Sequence, residues 1–199
     1  GQAVGLACMS LKEEMTGLAK HARLASRQLA GMSAADKNRA LLAMADAIED
    51  NASAIQAENA KDMVAGEEMG LSKALLDRLL LDDARIAGMA TGLREVAELP
   101  DPVGRVLDER DRPNGLKLCK VASPIGVIVI IYESRPNVTA DAAGLCFKSG
   151  NVTILRGGKE AIHSNQIIAR TMIDAAVAVD PEFPLNAIQV VPTTDRAAI

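Results

Sequence analysis

The sequence predicts an α/β fold: amphipathic helices, then a β-hairpin, then an incomplete Rossmann-like parallel sheet. Three observations support this. Up to residue 98, apolar residues recur every three or four positions. Between 99 and 122, two segments in which apolar and polar residues alternate flank a turn. From 123 to 199, predicted strands alternate with predicted helices. Such alternation is typical of a parallel sheet with right-handed connections. We therefore divide the chain into a helical part (1–98), a hairpin (99–122) and a βαβαβ segment (123–199).

The helical part opens with one apolar stripe whose spacing predicts a helix that ends near Gly31. The stripe consists of Leu11, Met15, Leu18, Ala22, Ala25 and Leu29. Ser33 followed by Asp36 resembles a capping box with Asp in place of Glu. It predicts a second helix with an apolar side that reaches Ile55.

The rest of the helical part is less regular. The segment 59–68 is polar, and we expect a loop there. A short helix is expected over 71–81, and Asp82 and Asp83 are placed to cap a last helix that reaches about Ala97.

The hairpin is predicted from alternating segments at 103–108 and 116–122. They flank 109–115, which is rich in turn formers and ends in Asn114-Gly115. This pattern predicts a long β-hairpin.

The βαβαβ segment begins with Val127–Tyr132, an apolar run that predicts a strand buried on both faces. Pro136 ends the strand and favours a helix start, which leads to a helix over 139–148 that Gly150 and Asn151 terminate. A second strand over 152–155 runs into the polar sequence Arg-Gly-Gly-Lys.

A helix over 161–179, with Ser164 and Asn165 as caps, and a third strand over 187–191 complete the pattern. The carboxyl ends of parallel strands are where such sheets bind ligands. The polar segments after the first two strands are therefore the candidate site.

Length, charge and composition exclude some classes of function. A length of 199 residues allows one large domain, and a net charge of −4 gives no basic field for nucleic acid. No apolar run is long enough for a membrane span. Cys8, Cys119 and Cys146 lack metal-ligand or disulfide spacing, which favours a reducing cytoplasm, and His21 and His163 are expected to be ordinary surface residues rather than metal ligands or bases.

Four segments resemble the γ-glutamyl phosphate reductase (glutamate-5-semialdehyde dehydrogenase) family of the aldehyde dehydrogenase superfamily. They are Val121–Val127, Ile131–Thr139, Leu145–Asn151 and Ile154–Glu160, of which Arg-Pro-Asn and Arg-Gly-Gly-Lys-Glu are the most specific. The resemblance spans nearly the whole chain but only the front of the family's length. It implies an aldehyde dehydrogenase type of fold in which residues 1–98 and 123–199 belong to the cofactor domain.

The resemblance also implies a function. It implies NADPH-dependent reduction of γ-glutamyl phosphate to glutamate-5-semialdehyde and phosphate, a step of proline biosynthesis. The hairpin is implied to join the sheet of a partner subunit in a homo-oligomer, and glutamate 5-kinase is a possible partner. Two other readings stay open: a non-catalytic fragment that acts only in association, and the reductase half of a bifunctional kinase–reductase, although no kinase-like sequence precedes Leu11.

No Gly-x-Gly-x-x-Gly sequence follows a strand, so the cofactor site rests on topology and charge. Arg156 and Lys159 leave the second strand together, and two cations there suit the 2′-phosphate of NADP. With Gly157, Gly158 and Ser134 they form the expected cofactor-binding set. The alternative is a solvated charge cluster, with Glu160 paired to Lys159 or Arg156.

After the first strand, the resemblance implies that Asn137 donates its amide to the oxyanion of a thiohemiacetal, and the alternative is a helix cap. Arg135 could bind an acyl phosphate or a substrate carboxylate, or could sit in a surface ion pair. Glu133 and Ser134 are expected to line the nicotinamide side.

The resemblance implies a cysteine thiolate nucleophile in a second α/β domain, beyond the point that corresponds to Ile199. Cys146 lies in an apolar helix, which predicts burial, and Cys8 and Cys119 lie outside the βαβ unit. We therefore expect the 199-residue chain alone to be an inactive front part that lacks the catalytic domain.

Overall fold

The computed structural model describes residues 10–193, 195 and 197, and it confirms the predicted fold class. The helices are α1 Leu11–Ala30, α2 Ala34–Asp50, α3 Ala52–Glu68, α4 Lys73–Leu79, α5 Asp83–Glu98, α6 Asn137–Lys148 and α7 Ile162–Val179. The strands are β1 Val106–Asp111, β2 Lys117–Val121, β3 Val127–Ile131, β4 Val152–Arg156 and β5 Ile188–Val190, and a short 3-10 helix covers Lys159–Ala161.

Strands β3, β4 and β5 form a parallel sheet in that order. The central strand β4 is buried along its whole length, as its apolar sequence predicts. The expectation that β3 is buried on both faces is wrong, because Val129 and Ile131 are 57% and 59% exposed. Val129 and Ile131 are two residues apart, so both side chains lie on the same face of β3, which is an edge strand among the described residues. The described elements leave that face open.

The predicted loop over 59–68 is also wrong, since these residues continue α3. Two of its polar residues, Asn59 and Asp62, are buried, whereas Lys61, Glu67 and Glu68 are exposed. Asn59 is buried, donates to the Leu79 carbonyl at 2.8 Å and accepts from the Leu81 amide at 2.9 Å, while Asp62 accepts from Ser164 Oγ at 2.6 Å. At these two buried positions, polarity therefore indicates internal hydrogen bonding rather than exposure.

Ser164 and Asn165 were expected to cap the last helix, but both lie inside α7 and are buried. The amides of His163 and Ser164 are instead satisfied by the Asp62 carboxylate, at 3.2 and 2.7 Å. A side chain from a distant helix thus does the capping that the local sequence suggested. The single helix expected to reach Ile55 is divided in two at Asn51.

The other helix ends follow the sequence prediction. Ser33 Oγ accepts from the Asp36 amide at 3.1 Å, and Asp82 accepts from the Arg85 amide at 2.8 Å. Gly150 follows α6 with φ +76°, a conformation that glycine adopts without strain.

The hairpin is confirmed as antiparallel, with Glu109 opposite Cys119. The first strand runs further than expected, and the turn is confined to 112–115, where Gly115 has φ +85°. Most of the hairpin is exposed, and the chain that leads into it is anchored by buried Lys37, which pairs with Asp101 at 2.6 Å and donates to the Lys148 carbonyl at 3.0 Å.

Among the described residues, no helix is both long and apolar enough to cross a bilayer.

Candidate functional site

The two polar segments predicted as the site begin side by side. Ile131 is paired in register with Arg156, and the Tyr132 amide donates to the Arg156 carbonyl at 3.0 Å. We call 132–136, between β3 and α6, the first loop, and 157–158, between β4 and the 3-10 helix, the second loop. Both leave the carboxyl edge of the sheet, where parallel sheets bind ligands.

The two predicted cations of the second loop differ in their surroundings. Arg156 is only 9% exposed, and its guanidinium donates to the carbonyls of Gly157 and Asp195, both at 3.2 Å. Lys159 is exposed at the start of the 3-10 helix. Arg156 therefore holds the backbone of its own loop, while Lys159 presents its charge to solvent.

The two glycines of the second loop have different steric surroundings. A Cβ atom at Gly157 would overlap Asn165 Nδ2 and would lie 3.3 Å from Tyr132 Cε2. A Cβ atom at Gly158 would meet only the flexible carboxylate of Glu160. Close packing therefore requires glycine at 157, whereas the space at 158 can be opened by a side-chain movement.

Sequence reasoning missed a hydrogen-bonded chain that joins the first loop to helices α6 and α7. The Tyr132 hydroxyl and Thr139 Oγ1 are 2.7 Å apart, and Thr139 Oγ1 donates to Asn165 Oδ1 at 3.0 Å. Thr139 and Asn165 are buried, and burial raises the pKa of Tyr132 to about 12, although its hydrogen bond to Thr139 opposes the shift. The sequence signal for this chain was the presence of polar residues, Thr139 and Asn165, within otherwise apolar helices.

A second link ties the first loop to the 3-10 helix that follows the second loop. Ser134, which is buried, donates to the Glu160 carboxylate. Glu160 thus has a partner other than the Lys159 or Arg156 of the alternative. This hydrogen bond holds the first loop against the start of the 3-10 helix.

Asn137 is the first residue of α6, and it makes no side-chain capping hydrogen bond. Its amide donates instead to Asp141 Oδ2, one turn further on, at 3.3 Å. Burial raises the pKa of Asp141, and the hydrogen bond from Asn137 partly offsets this effect. The capping alternative for Asn137 is therefore wrong, and its role as an oxyanion donor stays a prediction.

Arg135 and Asn137 face a common cleft of about 480 Å³. The cleft is lined by Asp77, Arg78, Arg85, Gly88, Met89, Arg135, Asn137 and Asp141, and we call it the arginine cleft. A smaller cavity of about 270 Å³ also has Arg78 and Arg135 in its wall, together with Ser134. Arg135 and Asn137 of the predicted substrate side thus border a space next to that of Ser134. The other predicted cofactor residues, Arg156, Gly157, Gly158 and Lys159, line neither of these two spaces.

Comparison with known proteins is consistent with this geometry. The γ-glutamyl phosphate reductase of Moorella thermoacetica is 56% identical over 191 residues, which is 96% of this chain and 45% of that protein. The crystal structure of γ-glutamyl phosphate reductase from Thermotoga maritima matches with a TM-score of 0.89 at 38% identity, over 92% of this chain and 44% of that one. This chain matches the amino-terminal part of γ-glutamyl phosphate reductases.

The chain spans less than half the length of these reductases. A probable aldehyde dehydrogenase from Listeria monocytogenes matches 94% of the chain with a TM-score of 0.70 at 18% identity, over 38% of that protein. At this identity the likeness shows the aldehyde dehydrogenase fold alone. No family model matches the sequence.

The cysteines of this reductase-like chain were expected to be inert. Cys146 is buried, and burial raises the pKa of its thiol, with an opposing hydrogen bond from Thr153. Cys119 is exposed on hairpin strand β2, away from both loops in the sequence, and Cys8 lies outside the described residues. A thiol with a raised pKa is a poor nucleophile at neutral pH. Within the described residues, no cluster of three or more His, Cys, Asp or Glu could hold a metal ion.

Proposed function

We propose that this chain is the cofactor-binding front part of an NADPH-dependent reductase. The reductase converts γ-glutamyl phosphate to glutamate-5-semialdehyde and phosphate, a cytoplasmic step of proline biosynthesis. The observation that carries the proposal is the 56% identity to a γ-glutamyl phosphate reductase over 96% of the chain. The meeting of the two loops at the carboxyl edge of the sheet supports it, because that edge provides a ligand site.

The residues at this edge fit a phosphorylated nicotinamide nucleotide. Lys159 supplies an exposed cation for the 2′-phosphate, and Arg156 holds the second loop in place and adds positive charge. Gly157 and Gly158 offer backbone groups to the nucleotide, while the Cβ atoms that they lack would meet Asn165 and Glu160 of the protein itself. Ser134 lies on the nicotinamide side. The bound NADPH supplies the hydride for the reduction.

On the substrate side, Arg135 binds an anionic group of γ-glutamyl phosphate. The Asn137 amide stabilises negative charge that develops on the carbonyl oxygen. Neither Cys119 nor Cys146 suits the role of nucleophile, so we expect the 199 residues alone to show no reductase turnover. NADPH oxidation with γ-glutamyl phosphate measures this, and turnover that Cys146→Ser abolishes would contradict it.

Fluorescence titration of NADPH and NADH tests the cofactor proposal. We expect NADPH to bind more tightly, and Lys159→Ala or Arg156→Ala to remove about ten- to hundredfold of that preference, the value of a charged hydrogen bond. Lys20→Ala, on the exposed side of α1, is the matched control and should change nothing. Equal affinity of the unaltered protein for NADPH and NADH would refute the assignment of a 2′-phosphate site.

The hairpin supports the proposal of a homo-oligomer. Leu107, Leu118 and Val121 in its strands are each about half exposed. The outer edge of a hairpin can also extend the sheet of another subunit through its backbone groups. Sedimentation of the protein and of Leu118→Asp tests this, with dissociation of the variant expected. Four interpretations stay predictions from the sequence. They are the glutamate 5-kinase partner, the bifunctional kinase–reductase, the non-catalytic fragment and the domain division at 98 and 122.

A further inference from the structure

The arginine cleft contains more cationic groups than the sequence analysis assigned to it. Arg78 lies on α4 and Arg85 on α5, far along the chain from Arg135, and all three line the same space. Only Arg135 belongs to the predicted site. The helical part of the chain thus contributes to the ligand edge of the sheet.

The three arginines differ in their partners. Arg85 is engaged, since its guanidinium pairs with Asp77 Oδ1 at 3.1 Å and donates to the Leu80 carbonyl at 2.9 Å. The side chains of Arg78 and Arg135 make no hydrogen bond or ion pair with any other residue that the structure describes. Two guanidinium groups therefore line one cleft without a hydrogen-bonding or ion-pair partner among the described residues, an arrangement that a bound carboxylate or phosphate stabilises.

The cleft also contains one carboxyl group that is not neutralised by a cation. Asp77 forms an ion pair with Arg85, whereas Asp141 accepts only the long 3.3 Å hydrogen bond from the uncharged Asn137 amide. Its Oδ1 atom lies next to Gly92 of α5, where a Cβ atom would be 3.5 Å away. Asp141 can therefore accept a hydrogen bond from a ligand cation at the same cleft that offers two guanidinium groups to a ligand anion.

Two free cations beside one available carboxyl group are complementary to the head group of an α-amino acid. We infer that the arginine cleft binds the α-amino acid end of the substrate, with Arg78 and Arg135 on the α-carboxylate and Asp141 on the α-ammonium group. This inference rests on the proposed function and names, for that same site, the part of the substrate that sets specificity. It assigns substrate-binding roles to Arg78 and Asp141.

Binding of L-glutamate, N-acetyl-L-glutamate and inorganic phosphate, measured by ligand-observed NMR titration, tests the inference. We expect L-glutamate to bind at least about tenfold more tightly than its N-acetyl derivative, which lacks the ammonium group. Arg78→Gln and Arg135→Gln should each weaken L-glutamate binding at least about tenfold. Asp141→Asn should remove the preference for L-glutamate over N-acetyl-L-glutamate.

The control is Arg23→Gln, an exposed arginine on α1 that has no side-chain partner among the described residues. It should leave binding unchanged. The inference is overturned if Arg78→Gln binds L-glutamate like the unaltered protein. It is also overturned if phosphate and both amino acid probes bind equally, which would make the cleft a general anion site.

NADPH titration of the same samples separates this inference from the proposed function. If NADPH binds and L-glutamate does not, the inference fails while the cofactor proposal stands. If L-glutamate binds with the expected dependence on Arg78 and NADPH does not bind, the cofactor proposal fails instead. Thermal unfolding followed by circular dichroism identifies any variant that is not folded, and Asp141→Asn then provides an independent test of the same site.

Discussion

Replacement of Gly157 by alanine should destabilise the protein strongly, although alanine is the smallest possible addition. The new methyl group would overlap Asn165 Nδ2 and would approach Tyr132 Cε2 to 3.3 Å. Asn165 is 1% exposed and is held by Thr139 at 3.0 Å, so it has no room to withdraw without breaking that hydrogen bond. Overpacking costs about 1–3 kcal/mol, and loss of the buried hydrogen bond costs about 1 kcal/mol more. We expect a loss of about 2–4 kcal/mol.

Urea unfolding followed by circular dichroism at pH 7 measures this loss. Gly158→Ala is the matched control, because residue 158 has φ −61°, which suits alanine, and its new methyl group would meet only the Glu160 carboxylate. Displacement of that carboxylate breaks its hydrogen bond from Ser134, so we expect a cost of about 1 kcal/mol there. In an Asn165→Ala background, the cost of Gly157→Ala should fall below about 1 kcal/mol. Equal costs at 157 and 158, or no relief in that background, would refute the steric argument.

Three further predictions follow from the surroundings of single side chains. Tyr132 is the only tyrosine, so absorbance at 295 nm should titrate with a midpoint near 12 rather than 10. Because the pKa of Tyr132 is raised in the folded protein, its protonated form stabilises the fold fully below pH 10, and this contribution is lost between pH 10 and 12. A midpoint of 10 would contradict the prediction. Thiol labelling should be rapid at exposed Cys119 and slow at Cys146, so that Cys119→Ser removes a fast-reacting group and Cys146→Ser does not. Lys37→Met should cost about 3 kcal/mol in urea unfolding, because it leaves Asp101 without its partner, and a cost below about 1 kcal/mol would show that the pair contributes little.

Periodicity in the sequence was enough to predict most elements but not the surroundings of their polar residues. The apolar stripe of α1 and the run in β4 determine both where the element lies and which side it buries. In α3 the same reasoning fails, because Asn59 and Asp62 are buried by partners that lie about 20 and 100 residues away along the chain. A local window cannot distinguish a polar residue with such a partner from a solvated one.

The candidate site shows the same division. Parallel pairing alone predicts that the segments after β3 and β4 meet, and the structure places Ile131 beside Arg156. The direction of the Arg156 side chain could not be predicted, because its partners include the Asp195 carbonyl at 3.2 Å, 39 residues further on. The contribution of Arg78 to the arginine cleft was also missed, since α4 is distant in sequence and its pattern gives no ligand signal.

The hydrogen bonds that tie the first loop to the 3-10 helix and to α7 predict that the proposed substrate and cofactor regions are mechanically coupled. Ser134 is bonded to Glu160 on one side and is followed directly by Arg135 on the other. The chain from Tyr132 through Thr139 to Asn165 runs in parallel and ends against Gly157. We therefore expect a displacement of the second loop to shift the residues that line the arginine cleft. Because residues in one hydrogen-bonded network do not act independently, substitutions in the two loops should have non-additive effects on ligand binding.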